Sequence, residues 1–154
     1  MLVEPIHHRI VAIAEAARRC SNDDPQREPL FGLGGDLATG EKQPYAIALK
    51  AGGIMALAGL WENWKSPADE WVRSFTIVTT TPNALCAEIH DRMPVILPPA
   101  AWPAWLGETT ADSERLKELL APYPADQMTC WPVSARMGNV KNNDPSLIEP
   151  IAAR

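Results

Sequence analysis

Long hydrophobic runs are missing from this sequence: nothing approaches the roughly 18 consecutive apolar residues that a membrane-spanning helix needs. The opening stretch MLVEPIHHRI has neither a basic leader nor an apolar core, so no signal peptide is expected and the chain reads as cytoplasmic. Cysteine is scarce. Cys20, Cys86 and Cys130 are odd in number and far apart, a pattern that predicts thiols rather than disulfides in a reducing compartment. No Cys-x-x-Cys or His-x-Glu spacing, glycine-rich phosphate loop or Gly-x-Ser-x-Gly elbow occurs. Zinc deaminase, nucleotide-binding and hydrolase readings therefore lose their main support, and neither metal nor cofactor is expected. An excess of positive charge is lacking too. With a formal net charge of −5, the overall field does not draw in a polyanion, and nucleic-acid binding would need a local patch.

What is present fits one domain, since 154 residues lie within the usual range of about 50–250 for a single core. Within residues 5–19, Ile6, Ile10, Ile13, Ala14 and Ala17 recur at spacings of three and four, which predicts an amphipathic helix. Residues 21–40 are crowded with Asn, Asp, Pro and Gly and read as a loop or irregular connection. From Gln43 onward the pattern becomes strand-like. PYAIALK, IMALAGLW and SFTIVTT alternate and are bounded by turn residues. With TCWPVS, they predict strands over 43–49, 55–61, 75–80 and 129–133 of one mixed or antiparallel sheet. The glycines of 50–53 suit a hairpin between the first two. Short helices are expected over 83–89, from Pro98-Pro99 through Leu106, and over 113–121, where Leu116, Leu119 and Leu120 form an apolar face. PVIL at 94–97 reads as another strand, and MGNVKNNDPSLIEP at 137–150 as a loop. The fold class is α+β, mainly antiparallel or mixed β-sheet with short helices.

The densest chemistry lies in Glu88-Ile89-His90-Asp91-Arg92, where an imidazole sits between two carboxylates beside a guanidinium. A histidine exchanges protons near neutral pH and a neighbouring carboxylate fixes its tautomer. The planar fork of Arg92 suits a phosphate. The plainer alternative is a structural histidine at a strand entrance. Arg92, Arg136 and Lys141 would make a local basic lip, or simply a solvated face. Six tryptophans serve either as core or as stacking platforms for unpaired bases. Trp61-Glu62-Asn63-Trp64 sets a carboxylate and an amide at a strand end. His7 and His8, adjacent on the expected helix, diverge by about 100° and do not form a metal pair.

Six strings in order, KQPYAIAL (42–49), ALAGLWENW (56–64), SFTIVTT (74–80), IHDRMPVILPP (89–99), CWPVS (130–134) and GNVKNNDPSLIEP (138–150), resemble the later part of SOS response-associated peptidase (SRAP) domains. The resemblance covers residues 41–152. It implies an α+β domain that binds single-stranded DNA at abasic sites, with peptidase and lyase activity in the intact family. In that family an N-terminal cysteine closes a thiazolidine ring with the opened sugar, giving a DNA–protein crosslink. By the same resemblance His90 is the catalytic proton carrier, Arg92 holds DNA phosphate and Thr79 lines the pocket.

The sequence departs from the pattern early. Leu2 stands where the family has its nucleophilic cysteine, and LFGLGGDLATG at 30–40 replaces the Gly-Phe-Tyr-Glu-Trp strand that carries a catalytic carboxylate. The family's Asn-Ala-Arg stretch is absent. ARRC at 17–20 is similar to the basic run that leads into the replaced strand. Residues 1–40 are accordingly read as a divergent segment and 41–154 as the later part of the domain, with no nucleophile assigned. The alternative function is a non-catalytic single-stranded DNA-binding remnant or a truncated copy without function. Self-association through uncovered sheet edges is expected, as is nucleoid association when bound to DNA.

Overall fold

The computed structural model describes residues 8–13, 30–35, 42–139 and 141–152. The strands are β1 (His8–Ile13), β2 (Leu30–Gly35), β3 (Lys42–Leu49), β4 (Ala56–Lys65), β5 (Trp71–Ile77), β6 (Thr79–Thr80), β7 (Met93–Pro94) and β8 (Met128–Pro132). The helices are α1 (Trp102–Leu106) and α2 (Ser113–Glu118). Among the described residues all strand pairs are antiparallel, and they form three sheets of order β1-β4-β5, β2-β3-β8 and β6-β7.

Two expectations for the first forty residues are corrected. His8–Ile13 is a strand paired along its length with β4, not part of a helix; the rest of 5–19 lies outside the described residues. HRIVAI holds three β-branched residues, which suit a pleated ladder better than a helix. Leu30–Gly35 is likewise a strand, on the edge of the β3 sheet; the remainder of 21–40 falls outside the described residues.

The expected single sheet is divided. Gly52 and Gly53 do turn the chain, with φ of 71° and 93°, and the Gly52 N–H donates to the Leu49 carbonyl at 3.0 Å. They pass it to a different sheet instead of closing a hairpin. β3 lies between β2 and β8, whereas β4 lies between β1 and β5. The cause is visible in β4, whose first four residues are all buried, so both of its faces are covered. Leu57 packs with Ile47, Met55, Met93, Ile96 and Met128. Its neighbour Ala58 packs on the other side with Val95, Leu97 and Trp105. Successive strand residues point to opposite faces, so β4 divides the core in two. The 95–97 segment obeys the same alternation, with Ile96 in the first cluster and Val95 and Leu97 in the second. Its backbone joins β4 directly: the Ala58 N–H donates to Val95 and the Leu97 N–H to Ala56, at 2.9 and 2.8 Å.

The helical segments start where proline or an N-cap permits. Pro99 and Pro103 occupy first-turn positions, and Gly107 ends α1 with φ of 80°, a conformation open to residues without a Cβ. The side chain of Asp112 caps α2 by accepting the Arg115 N–H at 2.8 Å. The 83–89 segment supplies a single 3-10 turn, Cys86–Glu88. The tail, expected as a loop over 137–150, contains two more, at Ala135–Gly138 and Pro145–Ile148. No helix among the described residues is long and apolar enough to cross a membrane.

Candidate functional site

Asn83 anchors the segment that carries His90. Its side-chain oxygen accepts the Cys86 N–H at 2.9 Å and its amide donates to the Tyr123 carbonyl at 2.7 Å. Cys86 then accepts the backbone N–H groups of Ile89 and His90. With Cys86 buried beneath, His90, Asp91 and Arg92 emerge on an exposed loop between β6 and β7, whose register pairs Thr79 with Pro94 and Thr80 with Met93.

The loop is closed by its own arginine. Arg92 donates from Nε to Thr79 Oγ1 at 2.8 Å and from Nη2 to the Thr79 carbonyl at 2.9 Å. A guanidinium carries five N–H donors, and the two spent on Thr79 leave the remainder directed away from that contact. The fork is thus held in one orientation by Thr79, with donors left for a further acceptor.

His90 has two competing partners. Its Nδ1 lies 2.8 Å from Asp91 Oδ1 and 3.1 Å from the Arg92 backbone nitrogen. A bare Nδ1 accepts the N–H of Arg92; a protonated Nδ1 donates to Asp91. One nitrogen cannot do both, so whether Nδ1 carries a hydrogen decides which partner the ring holds. Glu88, the other carboxylate of the motif, acts elsewhere: it lies close enough to Cys130 to push that thiol further up, after burial, the larger cause. Burial also raises Cys86, with Cys130 adding to it.

The remaining candidates are dispersed. Arg136 is bound within the tail, donating to Asp144 at 2.8 Å and to Ser146 at 3.1 Å, so that part of the expected basic lip serves as a staple. Trp105 is core. Trp102 and Trp131 are half-buried and donate their indole N–H to Leu97 and Ile148. Trp64 and Trp71 are exposed on the hairpin of β4 and β5, where Asn63 accepts from Arg73 at 3.0 Å. Sequence reasoning did not foresee the Arg92–Thr79 clasp as a bidentate contact, because a separation of 13 residues carries no local signal. No group of three or more potential ligands that could hold a metal ion occurs among the described residues.

The chain is 44% identical over 108 residues to the abasic site processing protein YoqW of Bacillus subtilis, covering 70% of this chain and 48% of the relative. It is 34% identical over 113 residues to YedK of Escherichia coli, covering 72% and 50%. It spans about half the length of these relatives. A crystal structure of a Bacteroides thetaiotaomicron protein matches with a TM-score of 0.70 and 26% identity, over 80% of this chain and 54% of that one. Residues 36–140 match the model of the SOS response associated peptidase (SRAP) family, and the chain belongs to that family.

Proposed function

We propose that the chain binds single-stranded DNA at abasic sites through the corner formed by Thr79, His90 and Arg92. The observation that carries the reading is the guanidinium of Arg92, oriented by Thr79, on the same exposed loop as the His90 imidazole, at positions where the family resemblance expects a phosphate holder and a proton carrier. Arg92 engages a backbone phosphate flanking the lesion. The opened sugar is an aldehyde, and His90 moves a proton to or from its oxygen, with Asp91 receiving the Nδ1 proton contact when the ring is charged. Thr79 lines the same corner. Relatives named as abasic site processing proteins support this substrate class.

Binding and proton transfer are the extent of the proposal. No described residue is assigned as nucleophile: Cys86 is buried, Cys130 is half-buried, and both thiols are pushed up, which disfavours the thiolate. An internal cysteine also lacks the α-amine that thiazolidine closure requires. The 154-residue polypeptide carries Leu2 after Met1 and, made as written, should give no heat-stable crosslink with abasic DNA unless borohydride is added to trap a Schiff base. A denaturing gel run with and without reductant tests this. A shifted band without reductant would place a working nucleophile in the chain and overturn the assignment.

A further inference from the structure

The outer edge of β5 is unpaired among the described residues, and its seven residues are exposed except for half-buried Ile77. Trp71 and Phe75 are 69% and 71% accessible and Val72 46%. An exposed apolar edge strand is a template for another strand. Which strand fits is decided by register, backbone phase and charge.

The hydrogen-bond phase is fixed at both ends of the hairpin. At one end the Ser66 N–H donates to the Glu70 carbonyl, and at the other the Val78 N–H donates to the Ala58 carbonyl. With Leu60 opposite Thr76, Glu62 opposite Ser74 and Trp64 opposite Val72, antiparallel alternation turns the even-numbered residues of β5 toward β4. The backbone N–H and C=O groups of Trp71, Arg73, Phe75 and Ile77 therefore point away from the sheet.

We infer that β5 pairs antiparallel with β5 of a second copy of this chain, about a two-fold axis through Ser74. This is the register in which all seven residues are paired, and it sets outward backbone against outward backbone. Trp71 then faces Ile77 of the second copy, Val72 faces Thr76, Arg73 faces Phe75, and Ser74 faces itself. No like charges meet; the lone charged residue of β5, Arg73, lies against an aromatic ring, a favourable cation–π arrangement. Within one copy Arg73 already lies 5.1 Å from the Trp61 ring and Lys65 lies 5.7 Å from the Trp71 ring. The joined hairpins thus continue a row of alternating rings and cations along one face. Sliding the pair to centre on Arg73 would set two guanidiniums opposite each other, and that register is disfavoured. The contact is isologous, so association stops at the dimer. A single strand edge is a small interface, so the dimer is transient and concentration-dependent.

Cysteine crosslinking tests the axis. Ser74 faces its own copy in a non-hydrogen-bonded pair, where Cα atoms lie about 4.5 Å apart, within disulfide reach. In a Cys20→Ser background, Ser74→Cys should give a covalent dimer under mild oxidation. Thr76→Cys, opposite Val72 of the second copy, should remain mostly monomeric. In parallel, sedimentation of the wild-type chain should show mass rising with concentration toward twice the monomer. Phe75→Lys, which sets an ammonium against Arg73 of the second copy, should abolish that rise, with circular dichroism confirming the fold. A wild-type monomer at every concentration, open-ended growth, or equal crosslinking at both cysteine positions would overturn the inference.

Discussion

Arg92 holds Thr79 by both its hydroxyl and its carbonyl oxygen, at 2.8 and 2.9 Å, across an exposed loop that also carries His90. Lysine has no planar fork and cannot reproduce both contacts from one orientation. Because the pair is exposed, its loss should cost the fold little, about 1 kcal/mol or less. Urea denaturation of Arg92→Lys should therefore show near wild-type stability. Hydrogen exchange at residues 89–93 should nevertheless speed up as the loop loosens. A protected loop in this variant would mean that the clasp is not what orders it.

The two-sided burial of β4 makes a contrast in stability. Leu97 is 2% accessible and packs with Trp105 and Val95, so Leu97→Ala should cost about 2–5 kcal/mol through lost transfer energy and a residual cavity. Phe75→Ala, on the exposed edge, should stay within about 0.5 kcal/mol of wild type. Urea midpoints at unchanged slope measure both.

Cys86 and Cys130 are raised above the ordinary value of 9.0 by burial first. Alkylation of the native protein at neutral pH, mapped by peptide mass, should leave both unmodified until the protein is denatured. Because their folded pKa values are raised, the stability they contribute is fully present below the unfolded value and is lost as pH rises through the folded one. Thermal midpoints should accordingly fall on the alkaline side.

Asp144 has the opposite sign. A hydrogen bond from Ser146, and then Arg136, holds its carboxyl below the usual 3.8. Its contribution is present above the unfolded value and is lost as pH falls through the folded one. In that acid window the tail turn at Pro145–Ile148 should loosen. The indole N–H resonance of Trp131, which donates to the Ile148 carbonyl at 2.8 Å, should shift with the titration, and Asp144→Asn should remove the pH dependence.

Much of this architecture was legible because apolar alternation marks a strand: β3, β4 and β8 stand close to where the pattern puts them. The strand expected over 75–80 is instead divided between β5, which runs from Trp71 to Ile77, and β6 at Thr79–Thr80. Their partners were not legible. Alternation tells which face of a strand is buried, not which strand lies beside it, and the run Met55–Ala58, buried on both faces, fits two layers of core better than one hairpin. His8–Ile13 was misread because Ile6, Ile10 and Ile13 meet a helical period, while pairing with β4 and three β-branched residues favour the strand. At the site, His90, Asp91 and Arg92 were visible as a sequence cluster. Arg136 was visible too, but its engagement by Asp144 depends on the folded tail. The effect of Glu88, in the Cys86–Glu88 turn, on Cys130 of β8 depends on the fold in the same way.

The central claim is that the Thr79–His90–Arg92 corner receives DNA at an abasic site. Fluorescence anisotropy with a labelled single-stranded oligonucleotide, bearing one abasic analogue or none, tests it most directly across a salt series. The wild-type chain should prefer the abasic strand and weaken steeply with salt. Arg92→Ala should bind about tenfold more weakly, as expected for one lost charge-assisted contact, with its salt slope reduced by about 1. Equal affinity and equal salt slope for wild type and Arg92→Ala would contradict the account.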